Sequence, residues 1–197
     1  MILAIALALQ GAQPAPEPPP PPPNMRREPA RTAPDPTPIT ISKIAEVRRA
    51  DGQLAARAMV FQTVRGAVQV RIQAAGLAPG QYGAHIHAVG RCDGPDFESA
   101  GPHWNPLGRQ HGSLNPEGPH LGDLTNLTVG EDGHGRVEFA LPGGTLTGDE
   151  TPLFDADGAS IVIHAAPDDY RTDPAGNSGA RIACAVLGLP DPSEVPS

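Results

Sequence analysis

After Ile39, apolar and polar residues alternate along much of the chain with the period of two that belongs to β-strands. ITISKIAEV (39–47) opens the pattern. AARAMVFQTV (55–64) and AVQVRIQAAG (67–76) follow, separated by turns that contain Asp51-Gly52 and Arg65-Gly66. QYGAHIHAV (81–89), TNLTV (125–129), GRVEFAL (135–141), ASIVIHA (159–165) and ARIACAVLGL (180–189) supply further short strands, several of them bounded by Gly, Pro, Asp or Asn. No long segment carries the period of a helix. Short strands punctuated by turn residues predict an all-β sandwich or barrel. The stretch 90–125 interrupts the pattern and is too long for an ordinary connection. A loop of that length is expected to be functional, and three histidines within it point the same way.

The first 38 residues belong to a different regime. MILAIALAL (1–9) is far too short to span a bilayer and resembles the apolar region of a secretory signal peptide, with Ala8 or Ala12 ending a cleavage site. It lacks the usual basic residues before the apolar run. Residues 14–38 hold twelve of the 25 prolines, six of them consecutive from Pro18 to Pro23, and so cannot build a core. They predict a disordered linker in extended polyproline form, reaching at most about 75 Å. The expected organisation is a signal peptide at 1–13, the linker at 14–38, a folded domain at 39–190 and a tail at 191–197. An exported protein of this kind is periplasmic or secreted.

Composition narrows the partners. The net charge is −8, with Lys43 the single lysine and no basic run, which argues against nucleic acid and against stable membrane insertion. Aromatic residues make up only 4% of the chain, so the core must be built from Val, Ile, Leu and Ala. Cys92 and Cys184 lie in no CxxC motif, which argues against a thiolate zinc site or redox dithiol. In an oxidising compartment such a pair would form one structural disulfide, worth roughly 4–5 kcal/mol in the chain-entropy model. Two buried thiols are the alternative.

Six of the seven histidines fall in three groups. His85 and His87 sit two apart on a predicted strand and so face the same way. His103, His111 and His120 are strung along the irregular loop, closed by Asp123. His164 ends the run SIVIH. Imidazole suits zinc, copper, iron and nickel, and a carboxylate in a mostly imidazole set is common for zinc. Two four-coordinate ions need eight bonds, and these seven side chains supply them only if one histidine bridges through both ring nitrogens. On spacing alone the bridge is His103 or another loop histidine. His85, His87 and His164 could begin a copper site and the loop residues a zinc site. His134, in the turn EDGHGR, reads as a surface residue.

GAHIHAVG, SAGPHWNP, RQHG, HLGDLTN, IVIHAAPDD and GNSGARIAC resemble, in order, the motifs of the copper/zinc superoxide dismutases, over roughly residues 45–190. The resemblance implies an eight-stranded Greek-key β-barrel, an immunoglobulin-like sandwich with long metal-binding and electrostatic loops. It implies copper at His85, His87, His103 and His164, zinc at His103, His111, His120 and Asp123, and hence His103 as the bridge. It makes Cys92 and Cys184 a disulfide. It gives Arg181 the role of attracting and orienting superoxide beside copper, with His103 as its catalytic companion. It also gives Asp168 the role of a carboxylate hydrogen-bonded to His85 and His111, although Asp169 competes for that place.

The implied reaction converts two superoxide anions and two protons to dioxygen and hydrogen peroxide by alternating reduction and reoxidation of copper. A non-enzymatic copper or zinc store would be expected to lack a copper ligand or Arg181, and neither is missing. The departures are Ala84 where the family has phenylalanine, Trp104 after the bridging position, and a shortened DDYRTDPAGNSG without the family's lysine, which leaves open whether Arg171 replaces that steering charge. The context of Cys92 resembles the bacterial branch, and a homodimer is the expected assembly, with a monomer as the other form found there.

Overall fold

Residues 39–148 and 150–188 are described by the structure, a computed structural model. The expected signal peptide, the proline-rich linker and the C-terminal tail lie outside the described residues. Nine strands form: β1 (Ile39–Arg48), β2 (Leu54–Thr63), β3 (Val68–Ala74), β4 (Gly80–Tyr82), β5 (Ala84–His87), β6 (Leu127–Val129), β7 (Arg136–Leu141), β8 (Ala159–His164) and β9 (Arg181–Gly188). The only helical turn among the described residues is a 3₁₀ turn at Glu98–Ala100.

Seven strands make one sheet in the order β5-β8-β9-β1-β2-β3-β7, and β4 pairs with β6 in a two-stranded ribbon. β4 and β5 are one segment of chain bent at Gly83, and counting them together recovers the expected eight strands. The bend lets the segment serve both sheets, because β5 pairs with β8 while β4 pairs with β6. A bridge between Val129 and Gly135 carries the ribbon on to the start of β7. The curled sheet is thereby tied between its two ends, as in a barrel.

The alternation read in the sequence is the burial pattern of the outer strands. In β3, Val68, Val70, Ile72 and Ala74 are buried, while Gln69, Arg71 and Gln73 face outward. Arg71 lies opposite Glu138 of β7 and forms an ion pair with it at 3.1 Å. The core holds Val47, Val60, Ile72, Ile86, Leu127, Ile161, Ile163 and Leu187, with Trp104 as its large aromatic residue. β5 and β8 differ, being buried at every position. One face of each meets the core and the other is roofed by loops, and that second face carries the histidines.

Candidate metal centre

The site is built outward from β5. Ala84 and Ile86 point into the barrel core, so His85 and His87 point to the opposite face. An edge strand needs partners for its free backbone groups. The long loop supplies them. Ile86 N donates to Gly122 O at 2.9 Å, Trp104 N to Ile86 O at 2.8 Å, and Ala88 N to Pro102 O at 2.9 Å. This pairing sets His103 beside His87 and Asp123 beside His85. It also explains Gly122, since a Cβ there would lie 2.4 Å from Ile86 O. His164 arrives from β8, its amide bonded to Gly83 O at 2.9 Å.

Each histidine around His87 has one nitrogen occupied and one left free. His85 Nε2 bonds Asp168 Oδ2 at 2.9 Å, His87 Nδ1 bonds Gly101 O at 2.8 Å, and His164 Nδ1 bonds Gly179 O at 3.2 Å. An acceptor on one nitrogen makes that nitrogen the N–H and leaves a lone pair on the other. The four remaining nitrogens, His85 Nδ1, His87 Nε2, His103 Nε2 and His164 Nε2, are buried without a hydrogen-bond partner. Buried polar atoms are rarely orphaned. Here the four residues offer ligand atoms within 4.8 Å of one another, which is the donor set of an imidazole-bound metal.

The second set centres on Asp123 Oδ1. His103 Nδ1 and His111 Nδ1 each lie 3.0 Å from it, and His120 Nδ1 lies 3.2 Å away. His103 Nδ1 and His120 Nδ1 are 3.5 Å apart. A tetrahedron with bonds of about 2.0–2.1 Å has edges of about 3.3–3.4 Å, so these four atoms are spaced to hold a zinc ion. His103 belongs to both sets, through Nε2 in the first and Nδ1 in the second.

Electrostatics keeps three of these histidines neutral, with their lone pairs free. Burial, with help from neighbouring histidines, lowers the pKa of His87 to about 2 and of His164 to about 3. Burial also lowers His103 to about 4, against the pull of Asp123. His111 behaves oppositely. Burial opposes its charge, but hydrogen bonds with Asp123 and Asp168 prevail and raise it to about 9. Burial likewise opposes charge on Asp123 and Asp168, yet their histidine hydrogen bonds hold both carboxyls well below the usual range.

The choice between Asp168 and Asp169 is decided by contact. Asp168 is buried and spans His85 Nε2 and His111 Nε2 at 2.9 and 3.0 Å. Asp169 is exposed and accepts from Thr172 and Asn177 in its own loop. Gly176 makes room for this arrangement: with φ +62°, a Cβ there would lie 1.9 Å from Asp168 Oδ1. Arg181 pairs with His164 across β8 and β9 and donates to Phe97 O at 2.8 Å and Gly101 O at 2.9 Å. Arg171 is exposed and donates to Leu114 O at 3.4 Å. His134 is exposed in its turn and enters no metal set. Cys92 and Cys184 are bonded, with Cα atoms 5.7 Å apart.

Three supporting residues escaped sequence reasoning. Asn126 brackets the backbone of Asp168, accepting from its N–H at 2.8 Å and donating to its carbonyl at 2.9 Å. Tyr170 accepts from Asn126 N at 2.8 Å. Asp173 accepts from His111 N at 2.6 Å and stands 3.9 Å from His120 Nε2. Asn126 lies within a quoted motif, but nothing local ties it to a residue 42 positions later.

Residues 56–187 match the family model described as "Copper/zinc superoxide dismutase (SODC)". The chain belongs to the copper/zinc superoxide dismutase family. It is 44% identical over 145 residues to superoxide dismutase [Cu-Zn] 1 of Aquifex aeolicus, covering 73% of this chain and 85% of that one. It is 42% identical over 149 residues to superoxide dismutase [Cu-Zn] of Caulobacter vibrioides, covering 74% and 85%. Among solved structures it is similar to a SOD-like protein from Bacillus subtilis, with a TM-score of 0.69, 40% identity, and coverage of 74% of this chain and 98% of that one. As a copper/zinc superoxide dismutase the chain is an oxidoreductase whose cofactors are copper and zinc. It converts two superoxide anions and two protons to dioxygen and hydrogen peroxide.

Proposed function

We propose that His85, His87, His103 and His164 hold copper, that His103, His111, His120 and Asp123 hold zinc, and that His103 bridges the two. The observation that carries this is the double membership of His103, whose Nε2 joins the orphaned nitrogens while Nδ1 joins the set around Asp123. A copper ion held there would supply the one-electron redox chemistry that the dismutation of two superoxide anions needs. The protein's own residues do the rest. Arg181, fixed by two backbone carbonyls, draws the anion toward the histidine face and orients it. Between the two halves of the reaction His103 would take a proton from water at Nε2 while that atom is not engaged by the metal, and would then pass it to the second superoxide. Water supplies the other proton needed for hydrogen peroxide. Asp168 keeps His85 and His111 in the tautomers that this requires.

Metal analysis of two variants tests the assignment. His164→Ala is expected to lose copper and keep zinc, while Asp123→Ala is expected to lose zinc first. Equal loss of both ions from either variant contradicts the two sets.

The protein's place is proposed as periplasmic or secreted. The apolar run at 1–9 supports export, and so does the disulfide, because such bonds persist in oxidising compartments. A homodimer is proposed, supported by exposed Ile44 and Val186 on the neighbouring strands β1 and β9. Fractionation of the native host and light scattering of the purified protein test these two points.

A further inference from the structure

Beside Arg181 the surface opens into a cleft of about 630 Å³ lined by Pro95, Asp96, Glu98, Gly179, Ala180 and Arg181. Its place is set by two of those residues. Gly179 O faces His164 Nδ1, and Arg181 lies opposite His164 in the β8–β9 pairing. The cleft is therefore one from which an anion can reach Arg181.

Its charge is the reverse of what a simple anion funnel needs. One guanidinium faces two carboxylates. Asp96 and Glu98 are both exposed, and neither is ion-paired with Arg181, whose terminal nitrogens are bonded to the carbonyls of Phe97 and Gly101. Asp96 Oδ1 accepts only the backbone N–H of Glu98, at 3.3 Å. No second cation lines the cleft. Arg91 is paired with Asp93, and Arg171 bonds Leu114 O. The two carboxylates are close enough to favour the charged form of Arg181, against the effect of its burial.

We propose that Asp96 and Glu98 form a charge filter that keeps multivalent anions away from Arg181 while still admitting a monoanion. The inference rests on the reading of this site as that of a superoxide dismutase. Its logic is electrostatic. A fixed negative charge repels a dianion with twice the energy it spends on a monoanion, so the population factor is squared. A unit charge about 8 Å from the path in water changes a monoanion's local concentration about twofold, and a dianion's about fourfold. Two such carboxylates slow superoxide capture about fourfold but disfavour hydrogen phosphate about sixteenfold, with both effects fading as salt screens them. Speed is traded for freedom from a common competing anion.

The test compares Asp96→Asn/Glu98→Gln with wild type, both loaded with copper and zinc. The amide at position 96 keeps the acceptor for Glu98 N, and both side chains are exposed, so the fold is preserved. At low ionic strength the variant is expected to capture superoxide up to about fourfold faster and to lose more of its rate on adding salt. Inorganic phosphate, titrated against the copper(II) absorption band and against the rate, is expected to bind about tenfold or more tightly. Glu131→Gln/Glu138→Gln changes the net charge equally on residues outside the cleft and is expected to leave phosphate binding unchanged. The filter is overturned if phosphate affinity is the same in the first variant, or if it rises equally in the second. Absence of superoxide turnover in wild type loaded with both metals would instead sink the enzymatic reading itself.

Discussion

His87 and Arg181 share one acceptor: the carbonyl oxygen of Gly101 lies 2.8 Å from His87 Nδ1 and 2.9 Å from Arg181 Nη2. A single peptide group thus fixes which nitrogen of His87 turns inward and where the guanidinium stands. Arginine suits this position because its planar fork reaches Gly101 and Phe97 together.

Arg181→Ala should keep both metals and the fold yet slow superoxide disproportionation by about tenfold or more, the loss falling on encounter. Arg181→Lys should fall between, since it keeps the charge but not the fork. Rates measured from 10 mM to about 200 mM salt should decline in wild type and stay flatter in Arg181→Ala. Full activity of Arg181→Ala at low salt would move steering elsewhere, with Arg171 the first candidate.

Asp168→Asn should weaken both metal sites together. The carboxylate accepts from His85 Nε2 and His111 Nε2, whereas an amide can accept from only one of them and presents an N–H to the other. Affinity for each ion is expected to fall about 10–100-fold. Chelator competition on the purified variant reads this directly, and an unchanged zinc affinity would refute the shared role.

The metal-free protein should be most stable near pH 6.5. His87, His103 and His164 have folded pKa values depressed to about 2, 4 and 3, below the ordinary value of about 6.5. The unfolded chain takes up those protons first, so stability is lost as pH falls below about 6.5. Asp123 and Asp168, also depressed, add to the loss below about pH 4. His111 is raised to about 9, so its contribution is present below about 6.5 and is lost as pH rises toward 9. Thermal unfolding of chelator-treated protein from pH 4 to 10 should trace a maximum, and a flat profile between 5 and 9 would contradict these environments.

Reduction of Cys92–Cys184 should destabilise the fold by about 2–5 kcal/mol. It should also lower activity beyond the loss of folded protein, because the crosslink ties β9, which carries Arg181, to the loop whose Phe97 and Gly101 carbonyls hold that residue. Denaturant melts and rates of the Cys92→Ser/Cys184→Ser variant check both effects.

The pairing of His85 with His87 was legible because a strand alternates: the two share a face, with Ile86 turned to the core. The strand count was less so, since a single Gly83 divides one hydrophobic run between two pairings. Asp168 and Asp169 could not be separated by pattern, because they sit side by side in one turn and only the fold buries the first. Asn126 and Asp173 were invisible for a related reason. Their partners lie 42 and 62 residues away, and no local periodicity records a hydrogen bond of that reach.

The two ligand sets also differ in when the chain can complete them. His103, His111, His120 and Asp123 lie within one loop, whereas the other set must wait for His164 at the end of β8. The contacts that finish it come later still, with Arg181 reaching back 84 residues to Phe97 and 80 to Gly101. Closing distant segments is slower than closing near ones. On the proposed assignment, a chain emerging from its N-terminus therefore has a place for zinc before it has one for copper.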